Sequence, residues 1–147
     1  MSERRYWIGV VPEDHVAQAV ADRFVQLQYG RHAPLARMQP GDGLAFYSPR
    51  ESDPDGAPRR AFTAIGRIDE GPVFEVPPPP PAPIYRRGAG YLDASPAPIA
   101  PLLDHLSFIW NKAHWGAAFR FGVLRVPRDD FLTIAAAMGR NGDVDFA

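Results

Sequence analysis

The segment YWIGVV, residues Tyr6–Val11, is an apolar run of aromatic and β-branched residues that ends at Pro12. Runs of four to eight such residues are typical of buried strands. We therefore expect a buried first strand near the amino terminus. Farther along, the turn-forming segment Gln39–Gly43 precedes a second apolar run, Leu44–Tyr47, which predicts the next strand.

A helix is predicted between these two strands. Its apolar residues recur at intervals of four, four and three, and so share one helical face: Val16, Val20, Phe24 and Leu27. Asp14 is expected to cap the start of this helix. Gly30 is expected to end it in a left-handed conformation, and Arg31–Met38 to form a loop.

The rest of the chain predicts further strands and a few short helices. Strands are expected at Phe62–Ile68, Ile84–Leu92 and Phe119–Val126, and helices at Ile99–Phe108 and around Phe131, Ile134 and Met138. Ser48–Pro58 is expected to be an exposed hairpin loop. The absence of a regular βαβ alternation favours one α+β domain over residues 1–147, with a curled mixed β-sheet or small barrel flanked by short helices.

Composition narrows the possible functions without selecting one. The 147 residues include no cysteine, which excludes disulfides, thiolate metal sites and cysteine nucleophiles. The net charge is -1, so a role with nucleic acid requires a local cluster of basic residues. The amino terminus shows no signal peptide or membrane span, and we expect a cytoplasmic protein with no membrane partner.

No sequence pattern typical of catalysis, metal binding or cofactor binding is present. None of the five serines lies in a nucleophile elbow. The histidines lack metal-ligand spacing: His15, His32, His105 and His114. The glycine pairs of Gly41–Gly43 and Gly88–Gly90 are too short to cradle a phosphate. We therefore expect a non-catalytic protein without metal or cofactor.

Aromatic and arginine residues recur at several separate places along the chain. They include Tyr6, Trp7, Tyr29, Phe46, Tyr47, Tyr85, Arg86, Arg87, Tyr91, Trp110 and Trp115. Such rings can stack on an unpaired or flipped base, although the same residues also serve to pack a core. The pattern alone leaves both roles open.

A series of motifs, in order, resembles the EVE domain, a PUA-like fold related to the YTH-type readers of modified bases. The motifs are YWIGV at residues 6–10, QLQYGR at 26–31, PLARM at 34–38, PGD at 40–42, FYSPR at 46–50, FTAIG at 62–66, YRR at 85–87, PIAPLL at 98–103, LSFI at 106–109 and KAHWGAAFRFG at 112–122. The resemblance extends from Tyr6 to about Met138. It implies a domain that binds RNA or DNA and holds a modified base in an aromatic pocket.

The resemblance also implies where such a pocket lies. In related domains the pocket is built after the first strand, at the end of the first helix and beside the second strand. The residues implicated for the base are Trp7, Val11, Pro12, Glu13, Gln28, Tyr29, Gly30, Ser48 and Pro49. Those implicated for phosphates are Arg31, Arg50, Arg86 and Arg87. The expected partner is a single-stranded or flipped-base nucleic acid, with Tyr29, and Tyr6 or Trp7, offering ring faces.

The sequence departs from the family at one of these places. Typical members carry Cys-His-Gly-Lys where this chain has Gln28-Tyr29-Gly30-Arg31, which keeps a ring and a cation but loses an imidazole. Two other functions stay open: a small-ligand pocket, and a protein-interaction module in which Pro77–Pro81 engages a partner as a polyproline helix.

Overall fold

The computed structural model describes residues 3–77 and 81–146. Six strands of its mixed sheet follow the order β2-β6-β4-β3-β1-β8, with β5 pairing β6 and β7 pairing β4. The strands are β1 Tyr6–Val10, β2 Phe24–Val25, β3 Gly43–Arg50, β4 Pro58–Ile68, β5 Phe74–Glu75, β6 Tyr85–Tyr91, β7 Ala97–Pro98 and β8 Val123–Val126. Strand β1 runs parallel to β3 and antiparallel to β8.

In the part of the chain that the structure describes, four α-helices and two 3₁₀ helices flank this sheet. They are α1 Glu13–Asp22, α2 His32–Arg37, α3 Arg128–Ala137 and α4 Gly142–Asp145, with 3₁₀ helices at Ala100–His105 and Lys112–Phe119. Together with the curled mixed sheet, they confirm the expected α+β fold. Among the described residues, no helix is both long and apolar enough to cross a bilayer.

Strands β1 and β3 bury both of their faces, which explains why the segments Tyr6–Val10 and Leu44–Tyr47 are continuously apolar. Along β1, Tyr6 and Ile8 belong to one hydrophobic cluster and Trp7 to another. The first cluster lies against α3, α4 and the 3₁₀ helices, and the second lies against α1, α2 and β2. The sheet therefore separates two cores, and one face of β1 contributes to each.

The first helix is shorter than its apolar spacing predicts. Helix α1 ends at Asp22, and Arg23 then adopts a left-handed conformation with φ 60°. This turn sends Phe24 and Val25 into strand β2, which pairs with Gly88 and Arg87 of β6. The expected helical stripe through Phe24 and Leu27 is therefore wrong, and Val20 is 39% exposed.

The ends of several other elements differ from the sequence expectation. Pro12, and not Asp14, precedes the first helical residue, and it makes no side-chain cap. The expected loop Arg31–Met38 contains helix α2. Strand β4 begins at Pro58, and the segment before β8 is a 3₁₀ helix. Of the proline run, Pro77 and Pro81 are exposed and Pro78–Pro80 lie outside the described residues.

The buried phenol of Tyr47, in the middle of β3, makes the stability of the fold depend on pH in alkaline solution. Its ring is 2% exposed and stacks on Phe119 with centroids 4.1 Å apart. Burial raises the pKa of the Tyr47 phenol to about 12, although the charge of Arg60 opposes the shift. The folded state thus holds this proton more tightly than the unfolded chain, whose phenols ionise near pH 10. The corresponding stability is fully present below pH 10 and is lost as the pH rises through about 12.

We therefore expect the Tyr47 phenol alone to lower the free energy of unfolding by about 1 kcal/mol between pH 8 and pH 11. Urea unfolding at the two pH values measures this loss, and Tyr47→Phe should show a correspondingly smaller one. Tyr29→Phe, which removes a hydroxyl from an exposed ring, is the matched control. An equal loss in the parent and in Tyr47→Phe would contradict the assignment.

Candidate functional site

A cavity of about 530 Å³ opens at one edge of the sheet; we call it the Tyr29 cavity. Because β1 and β3 are parallel, their carboxyl ends lie at the same edge, where the antiparallel β8 begins. The cavity is lined by Val10, Val11, Pro12, His15, Gln26, Gln28, Tyr29, Arg31, Pro49, Arg50, Asp53, Phe119, Arg120, Phe121 and Gly122. Its volume lies within the range typical of small-ligand sites.

The Gln28–Gly30 turn places Tyr29 at the rim of this cavity. Gln28, Tyr29 and Gly30 have φ angles of 50°, 60° and 90°, all in the left-handed region. Two of these residues are not glycine, and such conformations cost about 1 kcal/mol or more each. Backbone N–H groups of Gly30 and Arg31 donate to the carbonyl of Leu27 and hold the turn.

Contacts on both sides fix this turn against the rest of the molecule. The Gln28 side-chain amide donates to the carbonyl of Phe121, which lies just before β8. The backbone N–H of Tyr85 donates to the carbonyl of Gly30 over 2.8 Å. A Cβ at Gly30 would lie 2.7 Å from a methyl carbon of Ile84, so only glycine fits here. The strained turn is therefore firmly anchored.

Two aromatic rings at the rim face solvent. Tyr29 is 88% exposed and Phe121 is 74% exposed. The Tyr29 hydroxyl donates a long hydrogen bond of 3.4 Å to Asp53 Oδ2. Large apolar side chains are normally buried, so two exposed rings beside one cavity suggest a binding surface.

Three arginines surround the same cavity, against a single carboxylate, that of Asp53. Arg50 donates to the carbonyl of Gly56, and the guanidinium of Arg120 lies 5.9 Å from the Phe121 ring centroid. Within the described chain, no hydrogen bond or ion pair holds the Arg31 guanidinium. The cavity is therefore locally basic in a chain whose net charge is -1.

The structure brings together seven of the residues that the sequence implicated. They are Val11, Pro12, Gln28, Tyr29, Arg31, Pro49 and Arg50. Gly30 is buried behind Tyr29 and shapes the turn without lining the cavity. Arg86 lies alongside: it lines a smaller cavity that shares Val11, His15 and Gln26 with the Tyr29 cavity. Its Nε donates to Gln26 Oε1, and its guanidinium lies 4.0 Å from the Phe24 ring centroid.

Four implicated residues do not reach the cavity, because other parts of the fold engage them. The Trp7 ring is buried in the core and its indole N–H donates to Asp42 Oδ2 over 2.9 Å. Glu13 forms an ion pair with Arg59. The Ser48 hydroxyl is fully buried and shares a 2.7 Å hydrogen bond with Thr63 Oγ1.

The fourth of these residues, Arg87, is buried and makes its hydrogen bonds inside the protein. One of its terminal nitrogens donates to the carbonyls of Leu35 and Met38, at 2.9 and 2.7 Å. Burial lowers the pKa of its guanidinium, and Asp42 partly offsets this. Arg87 therefore connects β6 to helix α2 and is not available to a ligand. Tyr6, considered beside Trp7 as a stacking ring, is likewise buried.

One whole wall of the cavity was not predicted from the sequence; it is formed by Phe119, Arg120, Phe121 and Gly122. Gly122 has a φ of 82°, and its carbonyl accepts from the Val10 N–H at 2.8 Å. The motif KAHWGAAFRFG contains all four residues, so its signal was present. What it lacked was the pairing of β8 with β1, which joins this motif to the end of the first strand.

No group of three or more histidine or carboxylate side chains capable of holding an ion exists within residues 3–77 and 81–146. Of the four histidines, His15 lines the Tyr29 cavity, and His32 packs edge-on against Tyr85.

Comparisons with known proteins confirm the resemblance. The family model described as "EVE domain" matches residues 5–137. A UPF0310 protein of Mycolicibacterium vanbaalenii is 44% identical over 132 residues, covering 90% of this chain and 91% of its own. The UPF0310 protein YdcG of Bacillus subtilis is 42% identical over 136 residues, covering 92% and 93%.

A solved structure shows the same fold at much lower identity. Protein Atu2648 from Agrobacterium tumefaciens superposes with a TM-score of 0.59 at 13% identity, covering 92% of this chain and 94% of its own.

Proposed function

Because the chain belongs to the EVE domain family, we propose that it is a non-catalytic nucleic-acid-binding domain and that the Tyr29 cavity accepts a single base. The observation that carries this proposal is the convergence at one sheet edge of two exposed rings and three arginines around an apolar cavity. Rings stack on bases and guanidinium groups bind phosphates, so the site offers both kinds of contact that a nucleotide needs.

Binding proceeds by equilibrium recognition, without bond cleavage. A base that has left its stack enters between Tyr29 and Phe121, and its phosphates contact Arg31, Arg50 and Arg120. The Asp53 carboxylate and the Gln28 carbonyl oxygen accept hydrogen bonds from the base edge. Gln28 keeps the role that the resemblance implied for it, and Asp53 replaces Glu13 and Ser48, which do not line the cavity.

The apolar lining of the cavity favours a base that carries a methyl group. Val11, Pro12, Pro49 and Phe119 supply this lining. Burying one methyl group stabilises the complex by about 0.8 kcal/mol, which corresponds to a preference of only a few-fold. A modified base is therefore the proposed ligand, with the plain base as a weaker competitor.

Salt dependence tests whether phosphates contribute to binding. We expect fluorescence anisotropy with short single strands to give a log K against log salt slope of about -2, since each phosphate contact contributes about -0.7. Plain and methylated strands would be compared between about 50 and about 200 mM salt. An uncharged small ligand in the same cavity would show almost no slope.

The Arg31→Ala variant should make this slope shallower by about 0.7. Arg128→Ala is the matched control, because Arg128 is also exposed but follows β8 at the opposite edge of the sheet. If no strand binds, the proposed function fails. If Arg31→Ala gives the same slope as the parent and as Arg128→Ala, Arg31 does not contact a phosphate.

A further inference from the structure

A second cavity, also of about 530 Å³, adjoins the Tyr29 cavity; we call it the Trp115 cavity. Four residues line both cavities: Val10, Pro49, Arg50 and Phe119. Arg50 and Phe119 thus lie between two concave surfaces, and a ligand that extends beyond the first cavity passes directly into the second.

Aromatic rings form one wall of the Trp115 cavity. The Trp115 ring is partly exposed and stands nearly perpendicular to the Tyr47 and Phe119 rings, at centroid distances of 6.3 and 6.4 Å. Tyr47 and Phe119 themselves stack face to face. This packing holds Trp115 in one orientation, so its ring is a pre-organised stacking surface.

Cationic side chains line the rest of this second cavity. Arg60 is exposed and has a left-handed φ of 50°, and its carbonyl accepts from the Ile99 N–H at 3.0 Å. Arg50 lies on the boundary with the first cavity, and none of the residues lining the second cavity carries a carboxylate. A flat, anionic ligand fits this chemistry.

We propose that the Trp115 cavity is a second nucleotide subsite, so that the domain binds two successive nucleotides of a single strand. The inference rests on the proposed function and specifies its footprint, that is, the number of nucleotides that the domain contacts. The base in the Tyr29 cavity selects the ligand, its neighbour stacks on Trp115, and Arg50 binds the phosphate that links them. Arg60 contacts the phosphate on the far side of the second nucleotide.

Calorimetric titration with mono-, di- and trinucleotides tests this footprint. The probes carry each plain base, 5-methylcytosine or N6-methyladenine, in ribose and deoxyribose forms. We expect the best dinucleotide to bind at least about 5-fold more tightly than its mononucleotide, as one added stacked base provides, and a third nucleotide to add little. If no probe binds, the proposed function fails. If mono- and dinucleotides bind equally, only the second subsite fails.

Trp115→Ala should weaken dinucleotide binding by about 5- to 150-fold and leave mononucleotide binding unchanged. Trp115→Phe keeps a ring and should retain most of the dinucleotide affinity. A structural role for Trp115 alone would instead weaken both probes together, which would overturn the proposal.

A measurement on the unmodified protein tests the second subsite even if the Trp115 variants do not fold. Dinucleotides with 2-aminopurine in place of either base lose fluorescence when that base stacks on a ring. We expect quenching at both positions when the parent protein binds. Persistent fluorescence of 2-aminopurine at the position outside the Tyr29 cavity would overturn the second subsite.

Discussion

Replacing Asp42 with alanine is expected to lower the free energy of unfolding by about 3 kcal/mol or more. Asp42 is 1% exposed and its carboxylate accepts three hydrogen bonds. The donors are the backbone N–H of Arg5, the indole N–H of Trp7 and the backbone N–H of Gln39, at 3.0, 2.9 and 2.9 Å. Alanine leaves all three donors without an acceptor. The Trp7 indole N–H is buried and the two backbone N–H groups are partly buried, and a buried orphan donor costs about 1–3 kcal/mol.

Thermal unfolding measures this loss. For a chain of this size, about 3 kcal/mol corresponds to a fall in Tm of about 6–12 °C. Asp42→Asn keeps one acceptor oxygen and should fall between the alanine variant and the parent. Asp129→Ala removes an exposed carboxylate from helix α3 and serves as the matched control. A Tm for Asp42→Ala within about 2 °C of the parent would show that water replaces the carboxylate at no cost.

Replacing Tyr29 with alanine should weaken binding of the preferred single strand by about 5- to 150-fold, because one stacked base is worth about 1–3 kcal/mol. The side chain is 88% exposed and contributes almost no packing, so the unfolding free energy should change little. Loss of affinity without loss of stability is the expected combination. Fluorescence anisotropy and urea unfolding on the same samples measure both.

Two further variants isolate the contribution of the ring. Tyr29→Phe loses only the long hydrogen bond to Asp53 and should bind almost as the parent does. Trp110→Ala removes another exposed ring, 84% exposed, that does not line the Tyr29 cavity, and should leave binding unchanged. Parent-like affinity in Tyr29→Ala would remove this ring from the proposed mechanism even though the family assignment stands.

Strands β1 and β3 were predictable from sequence because their local composition determines their burial. YWIGVV is continuously apolar, and in the structure β1 is covered on both faces. The carboxyl-terminal helix was predictable for the same reason: Phe131, Ile134 and Met138 are all buried. In both cases the apolar pattern within a single element is enough to predict that element and its buried residues.

The first helix was overextended because its end depends on a distant partner. The spacing through Phe24 continues a helical face, and nothing local marks Arg23 as left-handed. Phe24 leaves the helix to pair with Gly88 of β6, a residue far along the chain. Backbone hydrogen bonding to a remote strand therefore overrides the local periodicity.

The dependence on remote contacts also explains why only some of the predicted residues line the Tyr29 cavity. Val11, Pro12 and Pro49 lie at or just after the carboxyl ends of strands whose positions the sequence indicates, and they line the cavity. Trp7 was placed there for its ring and Arg87 through the resemblance, but neither argument reveals which face of a strand a side chain occupies. Trp7 alternates with Tyr6 and Ile8, so the pleat directs it into the second core.

The position of β1 in the sheet has a consequence for synthesis on the ribosome. One of its edges pairs with β3, but the other pairs with β8, where Tyr6 lies opposite Val126. Strand β1 therefore keeps an open, apolar edge after β3 has been synthesised, until Val123–Val126 have also been translated. Open edges of this kind invite pairing between nascent chains. Protection of β1 from such pairing thus depends on β8, which is translated long after it.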